Sequence, residues 1–279
     1  MKTLRYVLCD VFTDRPLEGI PLAVFTDSRA IDALTMQALA RETSLPETAF
    51  ISPPERDGQA RIRVFTPERE LAFAEHPVLG AAFVLAGPLQ TDAVRLELPS
   101  GTVTVQVTRE AARISFGWLP HPCPRPIALE RHDAVLAALG SPVPSFPLGA
   151  YENGSKHLCL VLPSVEAVAA LAPDFSALGR ATDAGVAAFH FDAERCTLRY
   201  FAPRSGRNED SATSAAVGAI ALELRRHGLL GPDTSTCIEQ GQQTGRPATL
   251  YVRILGDAAA PRIELGGSAR IVARGQFLI

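Results

Sequence analysis

Three short stretches concentrate the side chains able to move a proton or hold an anion. In Leu45-Pro46-Glu47-Thr48-Ala49-Phe50 a carboxylate opens an apolar, strand-like run. Partial burial there would tune Glu47 for general acid/base transfer; the alternative is a surface Glu at the first position of a strand. Phe73-Ala74-Glu75-His76-Pro77 and Asn208-Glu209-Asp210-Ser211-Ala212-Thr213-Ser214 are polar loops, and each runs into a segment that is apolar on nearly all sides, Val78 to Leu85 and Ala215 to Leu224. Pro77 suits a first helical turn. Both loops are therefore expected to end at helix N-termini, whose unsatisfied N–H groups favour an anion such as a carboxylate. Two lobes facing each other would bring both termini to one cleft.

The elements that must position these residues show an internal repeat. Gly19-Ile20-Pro21-Leu22-Ala23-Val24 is matched by Gly154-Ser155-Lys156-His157-Leu158-Cys159, with Ser28 and Ser164 following before helical patterns. Arg63-Val64-Phe65-Thr66-Pro67 is matched by Arg199-Tyr200-Phe201-Ala202-Pro203, and Val78-Leu79-Gly80-Ala81-Ala82 by Ala216-Val217-Gly218-Ala219-Ile220. The interval is nearly constant, and it aligns His76 with Ser214 and His157 with Leu22. The expectation is an α+β chain of two pseudo-symmetric lobes, 1–118 and 130–279, each a curved, mostly antiparallel sheet around a central buried helix. A Pro-rich linker, 119–129, joins them, and its prolines are expected to continue neither helix nor central strand. Ile31 to Thr43 reads as an amphipathic helix with apolar Ile31, Leu34, Leu39 and Ala40 and Ser28 as its N-cap.

Several function classes are disfavoured. A formal net charge of −3, with acids and arginines interspersed, offers no basic stripe for nucleic acid and no polybasic block for a membrane surface. No apolar run approaches a membrane span, and the N-terminus carries no signal-peptide pattern, so a cytoplasmic protein is expected. The 5 cysteines are odd in number and widely spaced, suggesting neither a disulfide framework nor zinc. Lys2 and Lys156 are the lysines, with nothing around Lys156 resembling a pyridoxal site, and no glycine-rich phosphate loop occurs. No metal and no cofactor is expected. His121, His132, His190 and His227 lack metal-ligand spacing and read as structural or exposed. His157, beside Asn153-Gly154-Ser155, is a candidate for substrate contact.

Asp10-Val11-Phe12-Thr13-Asp14-Arg15-Pro16-Leu17-Glu18-Gly19, Pro46-Glu47-Thr48-Ala49-Phe50, Arg63 to Pro67 with Glu70 to Ala74, Glu209 to Thr213, Gln240-Gly241 with Gly245-Arg246-Pro247, and Gly266-Gly267 resemble the successive signatures of the PhzF-type phenazine-biosynthesis family. The resemblance covers almost the whole chain and implies the two-lobed diaminopimelate epimerase-like fold and an isomerase without metal or organic cofactor. It further implies that Glu47 shuttles the proton, that His76 is the active-site histidine and that Asp210 is the active-site aspartate. Diaminopimelate epimerases carry a cysteine at each helix start; here those places hold Glu75 or His76 and the Ser211 to Ser214 stretch, which disfavours a two-thiol racemase.

The chain departs from the family at three places. Gly19-Ile20-Pro21 stands for G-N-P, Ala74-Glu75-His76-Pro77 for A-G-H-P, and Ala212-Thr213-Ser214-Ala215 for A-T-G-S. Ile20, Glu75, Ser211, Ser214, Ala215 and His157 are thus the candidate substrate-binding residues, with a Glu75 turned to solvent as the alternative at that position. The expected reaction is a proton shift with double-bond migration on a small conjugated cyclic carboxylate of secondary metabolism, not the phenazine precursor itself. The alternatives are an epimerase of a small amino or hydroxy acid and a catalytically silent ligand-binding protein. The expected partners are that small substrate and a second copy of the chain in a homodimer.

Overall fold

A computed structural model describes residues 2–111, 113–128, 131–140, 142–256 and 260–279. The chain forms two compact units, one of residues up to Pro120 together with Gly266–Ile279, the other of His121–Leu265.

In the first unit the order is β1 (Thr3–Val11), β2 (Ile20–Phe25), α1 (Ala33–Thr43), β3 (Glu47–Ser52), β4 (Ala60–Phe65), β5 (Glu70–Leu71), α2 (Glu75–Leu89), β6 (Ala93–Leu98), β7 (Gly101–Glu110) and β8 (Arg113–His121). The second holds β9 (Arg125–Pro126), α3 (His132–Ala138), β10 (Gly149–Glu152), β11 (Lys156–Val161), α4 (Val165–Ala169), α5 (Phe175–Ala181), β12 (Gly185–Phe191), β13 (Arg195–Ala202), β14 (Arg207–Asp210), α6 (Val217–Arg226), β15 (Thr234–Gln240), β16 (Ala248–Leu255) and β17 (Arg262–Gly267) up to Leu265, the two glycines that end β17 counting with the first unit. The last strand, β18 (Ala269–Leu278), pairs antiparallel along β1 from Thr3↔Leu278 to Val11↔Ala269. The repeat alone puts this segment in the second lobe; the β1 ladder draws it into the first unit instead.

The repeat reappears as topology. β1–β2 is antiparallel, β2–β3 parallel through a helical crossover, β3–β4 and β4–β5 antiparallel, β4–β6 parallel through α2, and β6–β7 antiparallel. β10 to β16 repeat that series in the same order, with α6 in the place of α2. The parallel pairs require the crossovers, and the crossovers are where the helices lie.

Each buried helix owes its position to an apolar surface and to a glycine at closest approach. A Cβ on Gly80 of α2 would lie 2.5 Å from Leu22, and one on Gly218 of α6 would lie 2.8 Å from the His121 ring. The outer face of the first unit is closed by α1 over an aromatic cluster in which Phe25 and Phe50 stack at 4.8 Å, with Met36, Leu39 and Ala40 against it. Two expectations about α1 change. Asp32, not Ser28, caps it, accepting from the Thr35 N–H at 2.9 Å, while the Ser28 hydroxyl donates to the Ile51 carbonyl; Leu34 is exposed, and Met36 takes its place in the core.

The Pro-rich segment is also more ordered than its composition suggests. Pro120 lies exposed near the end of β8, and Arg125–Pro126 pairs with Glu152 and Tyr151 of β10. Proline lacks a donor but is compatible with strand ends and two-residue edge ladders. Residue 129 of the expected linker lies outside the described residues.

Candidate active site

In the first unit, α1 ends in a left-handed Ser44 (φ 52), and the chain turns at once into β3. The Thr43 and Thr48 hydroxyls bond at 2.9 Å across this turn and bracket Glu47. Glu47 is paired in register with Leu22 of β2, half-buried rather than at a free surface. The first turn of α2 supplies Glu75 and His76, both buried. Oε2 of Glu47 stands 3.1 Å from Nε2 of His76, joining two of the expected site residues. The neighbouring loop is shaped by buried Asp10, which accepts from the Leu17 N–H at 2.7 Å, and by Gly19, where φ is +64 and a Cβ would lie 2.2 Å from the Val11 carbonyl oxygen. Ile20 is buried at the start of β2, opposite Val11.

In the second unit Asp210 closes β14, so Asn208 to Asp210 form a strand where the sequence suggested a loop. Glu209 of that strand is a bidentate partner of Arg199, with both bonds at 2.8 Å. Asp210 accepts from the Thr213 hydroxyl at 2.9 Å, and the turn after it is held from behind by fully buried Gln240, which accepts from the Thr213 N–H at 3.0 Å and donates to the Asp210 carbonyl at 2.7 Å. Ser211 lies in that turn, its carbonyl 2.7 Å from where a Cβ on Gly241 would be. A 3₁₀ turn, Ser214–Ala216, leads into α6. Its carbonyls are gripped from the side. His121 Nε2 is 3.2 Å from the Ser214 oxygen, and Asn153 Nδ2 donates to the Ala215 oxygen at 2.9 Å.

His157 does not have the place expected for it. It is buried, and both ring nitrogens are engaged inside the protein, Nδ1 with the Tyr200 hydroxyl at 2.9 Å and Nε2 with Asn153 Oδ1 at 3.0 Å. Burial, and secondarily the His121 charge, lower its pKa to about 4. Sequence reasoning missed Gln240, His121, Tyr200 and Asn153 as parts of this framework. Gln240 stood in a recognised signature without a role, and His121 was hidden by its proline context. A cavity of about 370 Å³ in this unit is lined by Asp210, Tyr200, Gly185, Lys156, Asp183 and Arg204 among others.

Among the described residues no group of three or more His, Cys, Asp or Glu is placed to hold a metal ion, and no helix is long and apolar enough to cross a membrane. The two helix starts carry Glu75-His76 and Ser214-Ala215, without cysteine, and the Cys9 thiol is buried in β1 with its pKa pushed up to about 12 by that burial.

Residues 9–275 match the model of the family described as phenazine biosynthesis-like protein. The chain is 37% identical, over 99% of both chains, to trans-2,3-dihydro-3-hydroxyanthranilate isomerase of Pseudomonas chlororaphis. Among solved structures, a PhzF-family phenazine biosynthesis protein of Bacillus anthracis shares the fold at a TM-score of 0.86 with 20% identity, each chain covered over 100%. A hydroxyproline epimerase from Agrobacterium vitis does so at 0.62 with 12% identity, over 98% of this chain and 92% of that one. The doubled sheet with its two internal helices is thus the fold common to these isomerases and epimerases, and with its family signatures in order along the chain this protein is an isomerase belonging to the phenazine biosynthesis-like family.

Proposed function

We propose that this isomerase moves a proton between two carbons of a small, conjugated, carboxylate-bearing ring, with Glu47 as both base and acid. The observation that carries the reading is the 3.1 Å approach of Glu47 Oε2 to His76 Nε2 at the start of a buried helix. A proton on the imidazole at this distance would hold the carboxylate in one orientation, as a proton-transfer group requires. Glu47 takes a proton from an acidic allylic carbon, and the C–H electron pair spreads into the conjugated system. The resulting carboxylic acid, whose proton exchanges with solvent, delivers a proton to another carbon of that system, so the double bond moves and the overall composition is unchanged.

For the second unit taken by itself, the family resemblance supports Asp210 and Ser214 as groups for polar substituents of a small carboxylate. The N-terminus of α2 favours the charge that builds up on the delocalised anion. The chemical class follows the name of the Pseudomonas chlororaphis relative, whose substrate is a dihydro-hydroxyanthranilate. Ile20, Glu75 and Ala215, where this chain departs from the family, are the positions assigned to narrowing that class, and the protein is expected to turn over without added metal or cofactor.

The test is Glu47→Gln, assayed with trans-2,3-dihydro-3-hydroxyanthranilate and related ring carboxylates by the shift in absorption and by deuterium uptake from heavy water. Loss of both is expected. A Gln variant with near-normal turnover overturns the mechanism.

A further inference from the structure

The second unit contains a chain of hydrogen bonds whose direction can be deduced link by link. The Ala215 carbonyl can only accept, so the Asn153 atom beside it, at 2.9 Å, is the amide nitrogen. The other end of that amide, Oδ1, can only accept, so His157 Nε2, at 3.0 Å, carries its ring proton. The ring is neutral, so Nδ1 accepts from the Tyr200 hydroxyl at 2.9 Å. Every donor in the series points the same way, from Tyr200 through His157 and Asn153 to the backbone of the turn that opens α6.

The sequence around the chain is adapted to it. Tyr200 OH occupies the space a side chain at Gly185 would need, since a Cβ there would lie 1.9 Å from the phenolic oxygen. Gly185 is paired with His157 in the β11–β12 ladder. The corresponding residues of the first unit, Leu22 and Val64, are apolar and can make no such chain.

We propose that Tyr200, His157 and Asn153 are positioning residues, a one-way hydrogen-bond chain that sets the orientation of the turn Ser214–Ala216 toward the ring substrate. The proposal rests on the reading of Ser214 and Ala215 as substrate-contacting residues. It assigns His157 a place behind those residues. A turn displaced by a fraction of an ångström still folds but holds its ligand in a less reactive geometry, which can cost up to about 100-fold in rate per ångström.

Two measurements test it. The first is independent of turnover: ring-nitrogen NMR of the wild-type protein should show His157 as the neutral Nε2–H tautomer with no titration between about pH 5 and 8. An Nδ1–H tautomer, or a midpoint near that of a free histidine, overturns the chain. The second is Asn153→Asp, which keeps the acceptor for His157 but places a carboxylate oxygen against the Ala215 carbonyl. Thermal melting should change little while kcat/KM falls about tenfold or more. The ratio of variant to wild-type activity should then recover as the pH falls toward ~4, where the introduced carboxyl is protonated and can donate again. Tyr200→Phe should have a smaller effect and add nothing in the double variant. Unchanged kinetics in Asn153→Asp, or full additivity with Tyr200→Phe, overturns the positioning role. Should Glu47→Gln retain turnover while the tautomer result holds, the functional reading fails and the hydrogen-bond chain survives.

Discussion

The two units share one topology and divide the polar side chains unequally. Matching strand registers make the comparison residue by residue. Leu22 pairs with Glu47 and Thr48 with Phe65 in the first unit, as His157 pairs with Gly185 and Val186 with Phe201 in the second. The counterpart of Glu47 is therefore a glycine. Four apolar residues of the first unit, Leu22, Val64, Leu71 and Leu98, have His157, Tyr200, Asp210 and Gln240 as counterparts. One copy of the fold carries the carboxylate and histidine proposed for proton transfer, and the other a hydrogen-bond framework around a turn. A duplicated scaffold can specialise in this way because the sheet ladders hold the backbone while ladder side chains vary.

The largest expected effect comes from the position where the units differ most. Glu47→Gln should lower turnover about 10²–10⁴-fold with the fold intact, and no carboxylate in the second unit should compensate. Next come the residues the two copies retain in common. Arg63–Glu70 and Arg199–Glu209 are equivalent bidentate pairs, and each guanidinium lies over a phenylalanine, Phe65 at 5.2 Å and Phe201 at 4.9 Å. Of the two arginines only Arg199 is buried, its side chain 9% exposed against 21% for Arg63, and it also donates to the Leu171 carbonyl at 2.6 Å. Arg199→Ala should cost about 2–3 kcal/mol by removing its charge-assisted bonds to Glu209 and its bond to Leu171, and Arg63→Ala about 0–1 kcal/mol. Equal losses in chemical denaturation would break the comparison.

Gly185→Ala should destabilise by about 1–3 kcal/mol, because its Cβ collides with Tyr200. Adding Tyr200→Phe should relieve only part of this, since the ring carbon itself would be 2.3 Å away. The pH dependence belongs to the same unit. Folding lowers the His157 pKa from 6.5 to about 4. The unfolded chain thus binds the proton more readily, and the stabilisation present above pH 6.5 is lost as the pH falls toward 4, about 2 kcal/mol of it by pH ~5. Urea titrations of wild type and His157→Phe should converge in this window. Parallel curves would show that His157 is not buried neutral.

Much of this was legible from spacing and type. The repeat placed β2 with β11, β4 with β13 and α2 with α6, because equivalent packing demands equivalent glycines and prolines. Glu47 stood out as a carboxylate opening an apolar strand, but its role and that of His76 were implied by the family resemblance rather than by the local pattern. Tyr200, Asn153 and His121 were not legible. Their partners lie 43, 62 and 93 residues away, and nothing in a tyrosine on an alternating strand or a histidine among prolines reports such a partner. The fate of β18 was hidden for the same reason, since a repeat says which segments are alike and not which ladder the last strand joins.

Glu75 sharpens the comparison with the smallest expected effect. In the first turn of α2 it stands beside His76 and is 5% exposed, so a side chain turned to solvent is excluded. A carboxylate at a helix N-terminus stabilises that end by about 0.3–1 kcal/mol, which alone would account for tolerating a charge there. Burial beside His76 gives it a second role, because a carboxyl group so close to the proposed Glu47–His76 pair would bias the charge the substrate can carry. It should favour a ring bearing a basic or imine nitrogen over an aryl amine. Glu75→Gly, which restores the family residue, should lower activity on the native substrate by no more than about tenfold, move the pH optimum, and shift kcat/KM toward substrates without a basic nitrogen. A loss of melting temperature with an unchanged substrate profile and pH optimum would mean that Glu75 serves the helix terminus alone, and that specificity lies with Ile20 and Ala215.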